Sequence, residues 1–378
     1  MVFNTHGIDK DRGRPMTTTA SETTTPAPVH HDSPVSKYGA PKVMTALVFG
    51  VLLLQLGFIL SYVAAFHQPT PRNIEVGVVA AAGLPAGTDQ QVADRLDAID
   101  GSPLRTRVVS DTAEARRLLH DREIQGAFVV NPVGPDTLIT ASAGGSSIAS
   151  ALESVFTQVE NSQGREFTVR DEIPVGAHDN RGLSGFYLAV GWVVGGYLLA
   201  AAIGLFIGAP RTLRQASAHT AVLFGYALLS GALGALITTH VLGTFAGHWF
   251  PLWLLGAGVV FGTAVFTLGL RASVGILAVP LAIAVFVILG NPSAGGAFGS
   301  NVIPTFYAAI GRWITPGAGT EGIRSIVYFD DVGLGQPALA LALYSAVGLG
   351  LLFGFTARRL RKLESTTPRS DVVSEDAS

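Results

Sequence analysis

The stretch VMTALVFGVLLLQLGFILSYVAAF, Val43 to Phe66, runs for 24 residues without a charge. About 20 consecutive apolar residues cross the hydrocarbon core of a bilayer as a helix, so the run predicts a transmembrane helix. A secretory signal has a short basic n-region and an apolar h-region of about 7–15 residues. Here the apolar run is longer and a tail of 42 residues precedes it, which points to an uncleaved span. That tail, 1–42, contains TTTASETTTPAPVHHDSPVS and has no apolar period. It reads as a disordered segment.

Four more apolar segments lie downstream, at Phe186–Ala209, Thr220–Leu242, Phe250–Leu270 and Val274–Gly290, and a last one at Pro337–Ala357. The bulk composition agrees with lipid as a solvent. Charged residues make up only 14% of the chain, against about 25% in an average soluble domain, and the mean hydropathy is +0.43. The fold class expected is a polytopic α-helical membrane protein with six transmembrane helices: 43–66, four within 186–290, and 337–357. Lysine and arginine near span ends set orientation, because they are retained on the cytoplasmic side. Lys37 and Lys42 precede the first span, Arg211 and Arg214 fall between the second and third, Arg271 between the fourth and fifth, and Arg358, Arg359, Arg361 and Lys362 after the sixth. With six spans all of them fall on one side. Both termini, including the tail 358–378, are therefore expected in the cytoplasm of a bacterial cell (inner or plasma) membrane. Segments 67–185 and 291–336 are expected outside.

Segment 67–185 differs in character. Up to Ser184 it holds ten Arg and no Lys against sixteen Asp and Glu, and short β-branched runs alternate with helical patterns. Strands are expected at Ile74–Ala80, Arg105–Ser110, Ile124–Val130, Thr137–Ala143 and Phe167–Ile173. Helices are expected at Ala86–Ile99, Thr112–Glu123, with Asp111 as N-cap, and Ser146–Asn161. Such alternation predicts an α/β domain, placed between the first and second spans.

The chemistry that the residues exclude is informative. The chain has no cysteine, which removes disulfides, thiol catalysis and thiolate metal sites. No phosphate-binding GxxxxGK[ST], no HExxH and no GxSxG occurs. No enzyme activity, cofactor or metal is expected, and the net charge of -2 speaks against nucleic acid as a partner. From Phe186 to Ala357 the acidic residues are Glu321, Asp330 and Asp331, all assigned to the outer loop. A proton-driven pump needs a titratable carboxylate at membrane depth, so self-powered proton coupling is disfavoured. His219, His240 and Arg271 lie near span ends and read as interfacial. Glycines four apart (Gly191/Gly195, Gly204/Gly208, Gly258/Gly262, Gly350/Gly354) suggest close helix packing.

The segment 291–336 is the most distinctive. Asn291-Pro292 is expected to end the fifth span, because proline disfavours helix in the residue before it. Gly295-Gly296 allows a sharp turn. Ile303–Ile314 carries Ile303, Phe306, Tyr307, Ile310 and Ile314 on one stripe, which predicts an interfacial or re-entrant helix with Trp313 at headgroup level and Pro316 as its terminator.

One span, a large outer α/β domain and five further spans resembles the type-2 ABC exporter permeases, within them the phage infection protein (YhgE/Pip-like) and nitrosoguanidine-resistance branches. The residues that carry the resemblance are Thr112-Ala113-Glu114-Ala115 followed by Ile124 to Pro132 in the outer domain. To these are added Asn291 to Phe298, Ile303-Pro304, Thr315-Pro316 and Arg324 in the outer loop. The resemblance implies a permease for efflux of hydrophobic or amphipathic compounds, in contact with membrane lipid. It implies a homodimer or heterodimer energised, if at all, by a separate ATP-binding subunit. Asn291, Pro292, Gly295, Gly296, Pro304 and Arg324 would then serve loop geometry and gating. The competing expectation is a non-transporting receptor or envelope scaffold that uses the outer domain for binding.

Overall fold

The computed structural model describes residues 39–366. The expected tails therefore lie mostly outside the described residues, at 1–38 and 367–378. The chain divides into two compact units at Gly50–Val51, inside the first helix. Of the first unit, the described part is the start of that helix, α1 (Ala40–Phe66). Everything below concerns the second unit.

Among the described residues, five helical stretches are long and apolar enough to cross a membrane: Ala40–Phe66, Ser184–Ile207, Leu213–Val241, Trp249–Ser293 and Gly335–Leu363. The protein is mostly helical, as a polytopic membrane protein is. The 45-residue stretch Trp249–Ser293 is not one rod. Phe266 and Phe286 are 20 residues apart, about 30 Å along a straight helix, yet their ring centroids are 5.9 Å apart. The chain reverses at Gly275, whose φ of 64° is a left-handed conformation that glycine adopts without steric cost.

Between α1 and the second apolar helix the chain builds the α/β domain. Its elements are β1 (Ile74–Ala80), α2 (Thr88–Asp97), β2 (Leu104–Val108), α3 (Thr112–His120), β3 (Gly126–Val130), β4 (Asp136–Thr140), α4 (Ser146–Gln163) and β5 (Phe167–Asp171). The sheet order is β2-β1-β3-β4-β5. Only the β3–β4 pair is antiparallel. Alternate residues of the strands feed two cores, as the two-residue period of a strand requires. Ile74, Val76, Val78, Phe128 and Leu138 pack with Ala93, Leu96, Leu152 and Phe156 of α2 and α4. Val79, Ala127, Val129 and Ile139 pack with Ala115, Leu118 and Leu119 of α3 on the opposite face. Asp111 caps α3 by accepting from the Glu114 amide at 2.9 Å, which satisfies one of the orphan donors of a helix start.

The remaining helices are α5 (Ser184–Ala202), α6 (Leu213–Leu236), α7 (Trp249–Val274), α8 (Ala278–Ile283), α9 (Gly290–Ser293), α10 (Thr305–Gly311), α11 (Thr315–Tyr328) and α12 (Gly335–Thr366). Single π-helical segments extend α5 (Ile203–Ile207) and α6 (Ile237–Val241), and one joins α8 to α9 (Ala284–Leu289). Helices α5, α6, α7, α11 and α12 share one core, in which Trp192, Ala235, Leu252, Val259, Ala318, Ile323 and Leu341 are buried. Phe266, Phe286 and Tyr344 meet edge-on or tilted in an aromatic trio between the α7–α8 hairpin and α12.

Four expectations need correction. The third apolar helix begins at Leu213 rather than Thr220, capped by Thr212, whose hydroxyl accepts from the Gln215 amide. The tail placed at Arg358 is helical as far as Thr366. Asn291-Pro292 stands inside the last turn of a helix rather than beyond it: both lie in α9, which ends at Ser293, and Pro292 is buried. Proline cannot donate to the carbonyl four residues back, and here the Ser61 hydroxyl of α1 donates to that carbonyl, Ile288 O, at 2.5 Å. Finally, Pro316 does not terminate a helix. It stands in the first turn of α11, where a missing N–H costs nothing.

Candidate functional site

Helix α11 organises the site. The sequence TPGAGTEG at its start is poor in helix formers, but its small residues suit close packing. Thr315 through Thr320 and Gly322 through Ile326 are all buried. A Cβ on Gly317 would lie 2.0 Å from Gly311 O, and one on Gly311 would lie 2.0 Å from Ser293 O. Only glycine admits this crossing of α9, α10 and α11.

The two ends of α11 reach different environments. At its start, the Thr263 hydroxyl donates to the Thr315 hydroxyl at 3.0 Å, and Thr263 lies near the middle of the 26-residue α7. At its end, the Gly176 amide donates to the Tyr328 hydroxyl at 3.3 Å. Phe329, 1% exposed, sits in the α3-side core of the α/β domain. The helix therefore runs from the interior of the bundle to the α/β domain, over about 21 Å for 14 residues.

Between these ends lies an ionic cluster. Glu321 accepts from Arg324 Nη1 and from Arg122 Nη2, each at 2.5 Å. Arg324, 6% exposed, also donates through Nη2 to Gly295 O at 2.6 Å. Arg122 donates through Nη1 to the Ser325 hydroxyl at 2.9 Å and lies 4.9 Å from the centre of the Phe329 ring. Burial alone would push the Glu321 carboxyl up, but the Arg324 and Arg122 guanidiniums outweigh it and hold it below the ordinary carboxylate value. Arg122 follows α3 with φ of 60°, a left-handed backbone unusual for a residue with a side chain. The turn delivers an α/β-domain cation to α11.

Of the residues singled out in sequence, Gly295 and Arg324 are joined directly. Gly295 has φ of 72°, and its carbonyl is the Arg324 acceptor. Gly296 packs against Phe186, where a Cβ would lie 2.2 Å from the ring. Asn291 and Pro292 belong to α9 and its contact with α1. Pro304 serves a separate feature, standing immediately before α10. The stripe expected from Ile303 to Ile314 is split: Ile303 and Tyr307 pack with Ala65 of α1, Ile314 joins the bundle core, and Phe306 is exposed. In sequence Glu321 falls in the segment 291–336 without a role of its own. In the fold it directly precedes Gly322, which packs on Leu255 in the second turn of α7. Its i,i+3 spacing to Arg324 was a legible signal for a pair. Nothing local in the sequence marked Arg122.

A cavity of about 700 Å³ opens beside the cluster, lined by Arg72, Arg122, Gly295, Arg312, Glu321 and Gln336 among others. Among the described residues, no three His, Asp or Glu side chains gather as a metal site. No family model matches the chain, and no curated protein or solved structure matches it.

Proposed function

We propose that the protein is the membrane component of an export system for hydrophobic or amphipathic compounds, similar to the type-2 ABC permeases of the YhgE/Pip-like group. In this reading two copies, as a homodimer or heterodimer, work with a separate ATP-binding subunit. Six spans cross the bacterial plasma membrane, with α8 to α9 as the fifth, both termini cytoplasmic and the α/β domain outside. The reversal at Gly275 supports counting α7 and α8–α9 separately. The lysines and arginines at the span ends support the orientation.

The observation that carries the reading is α11. It follows α10 after a break at 312–314, starts deep in the bundle and is held at its other end by the α/β domain through Arg122, Glu321 and Phe329. Discontinuous helices at bundle depth are what transporters use to form a site that alternates between sides. An element fixed at both ends transmits movement of one end to the other. Asn291, Pro292, Gly295, Gly296 and Arg324 would shape the pivot of α11, and Pro304 the entry of α10.

The second reading, a receptor or envelope scaffold, draws support from the α/β domain itself. That domain has a complete two-faced core, and its segment carries sixteen acidic against ten basic residues. Affinity purification of the full chain in mild detergent separates the two readings. A stoichiometric nucleotide-binding subunit is expected from the export reading. Repeated recovery of the chain alone, or with envelope proteins, would remove that reading in favour of the second.

A further inference from the structure

The 700 Å³ cavity is within the size range of small-ligand sites, about 300–1,000 Å³, and its charges are unevenly matched. Three guanidiniums line it, from Arg72, Arg122 and Arg312, with two carboxylates, Asp121 and Glu321. Both carboxylates are already engaged. Asp121 pairs with Arg117 at 2.7 Å, and Glu321 with Arg122 and Arg324. Among the described residues, the Arg72 side chain donates only to a backbone carbonyl, Ile303 O, at 3.3 Å. The Arg312 side chain makes no hydrogen bond or ion pair among the described residues. The cavity therefore presents two cations without carboxylate partners.

Its position fixes what can reach them. Helix α10 is clamped to the end of the first apolar helix: Tyr307 packs with Ala65, and the neighbouring Phe298 ring lies 5.3 Å from Phe66. The end of an apolar span lies at headgroup level. Thr305, Ala308, Ala309 and Arg312 line the cavity, the i, i+3, i+4, i+7 pattern of one helix face. Phe306 and Trp313, 57% and 44% exposed, fall off that face, as aromatic anchors at an interface do. On the far wall stands Gln336 at the start of α12. Below it on the same helix face run Leu339, Leu343 and Val347, all about half exposed. A polar cationic chamber thus opens onto an apolar stripe that descends along a membrane helix.

We infer that this cavity binds an amphiphile with an anionic phosphate head, an anionic membrane lipid, with Arg72 and Arg312 on the phosphate and the acyl chain along Leu339, Leu343 and Val347. Guanidinium suits phosphate because its planar donors match the oxygens two at a time. The inference is independent of export, since a scaffold would hold the same lipid.

The test uses the full chain in mixed micelles of equal phosphatidylglycerol and phosphatidylcholine, with bound lipid counted by native mass spectrometry. Wild type is expected to prefer phosphatidylglycerol by about tenfold. Arg312→Gln and Arg72→Gln should each lose most of that preference, Arg312→Lys should keep part of it, and Arg95→Gln on α2 should keep all of it. Arg312 is exposed and makes no contact that folding would miss. Equal retention of both lipids by wild type, or an unchanged preference in Arg312→Gln and Arg72→Gln, overturns the site. Displacement of phosphatidylglycerol by millimolar glycerol 3-phosphate overturns the lipid as the source and assigns the phosphate to a soluble ester.

Discussion

Two carboxylates of this chain sit in opposite electrostatic surroundings and should titrate in opposite senses. Glu321 lies between two guanidiniums that hold its pKa below the ordinary 4.5. Its contribution to stability is full above 4.5 and is lost as pH falls through the depressed folded value. Removing one member of a buried charge cluster leaves the others unpaired, which typically costs about 3 kcal/mol. Glu321→Gln is therefore expected to lower the thermal midpoint in detergent at pH 7. It should also flatten the acid limb below pH 4.5 relative to wild type. Adding Arg122→Gln should recover part of the loss, because the orphaned cation goes with it. Equal midpoints for wild type and Glu321→Gln would sink this account. Glu160 of α4 is 3% exposed. Burial pushes its carboxyl up, and Asp136 adds to the rise while Arg165 opposes it. A raised carboxyl favours the protonated form in the folded state, so stability falls as pH rises through its titration. Glu160→Gln should stabilise the protein at pH 8 and leave it unchanged at pH 4. A lower midpoint at pH 8 would contradict this.

At the scale of elements, glycine spacing alone marked some contacts and missed the tightest: a Cβ on Gly262 would lie 3.2 Å from Leu341 O of α12, and one on Gly195 2.9 Å from the Tyr226 hydroxyl. Gly350 and Gly354 recur at four residues, yet a Cβ on either meets nothing within 4 Å. The tightest backbone approaches fall elsewhere. A Cβ on Gly269 of α7 would lie 2.5 Å from Gly348 O of α12, and one on Gly231 of α6 would lie 2.6 Å from the Ala257 amide. Spacing places a residue on a face of its own helix, but which face meets a neighbour is a property of the pair. Gly311→Ala should force the α9–α10 crossing apart and cost about 1–3 kcal/mol, as overpacking does. Gly350→Ala, in open space within a helix, should be neutral or stabilising by up to about 1 kcal/mol. The measurement is the pair of midpoints in one detergent, and a Gly311→Ala protein as stable as Gly350→Ala would refute the crossing.

At the scale of the whole molecule, the topology is open to a direct check because the chain has no native cysteine. A single cysteine at Ser102, in the exposed turn before β2, should react in intact cells with a membrane-impermeant maleimide. One at Ser273, in the last turn of α7, should react only after the cells are opened. Labelling of both from outside would reject six spans with a cytoplasmic α7–α8 turn.

The apolar runs, the strand and helix alternation of the α/β domain and the Asp111 cap were legible in the sequence. Each depends on residues within a few positions of one another, where hydrophobic period and local hydrogen bonding act directly. The segment 291–336 reads in sequence as a loop with one helix, because proline and glycine weigh against helix when neighbours are unknown. Burial among α5, α7 and α12 reversed that preference for α11, and the Ser61 hydroxyl carried Pro292 through α9 by taking the freed carbonyl. The Arg122–Glu321 pair joins residues 199 apart. Only the tertiary structure could decide it, because the field that sets a buried charge comes from whatever the fold brings beside it, and sequence separation carries no record of that.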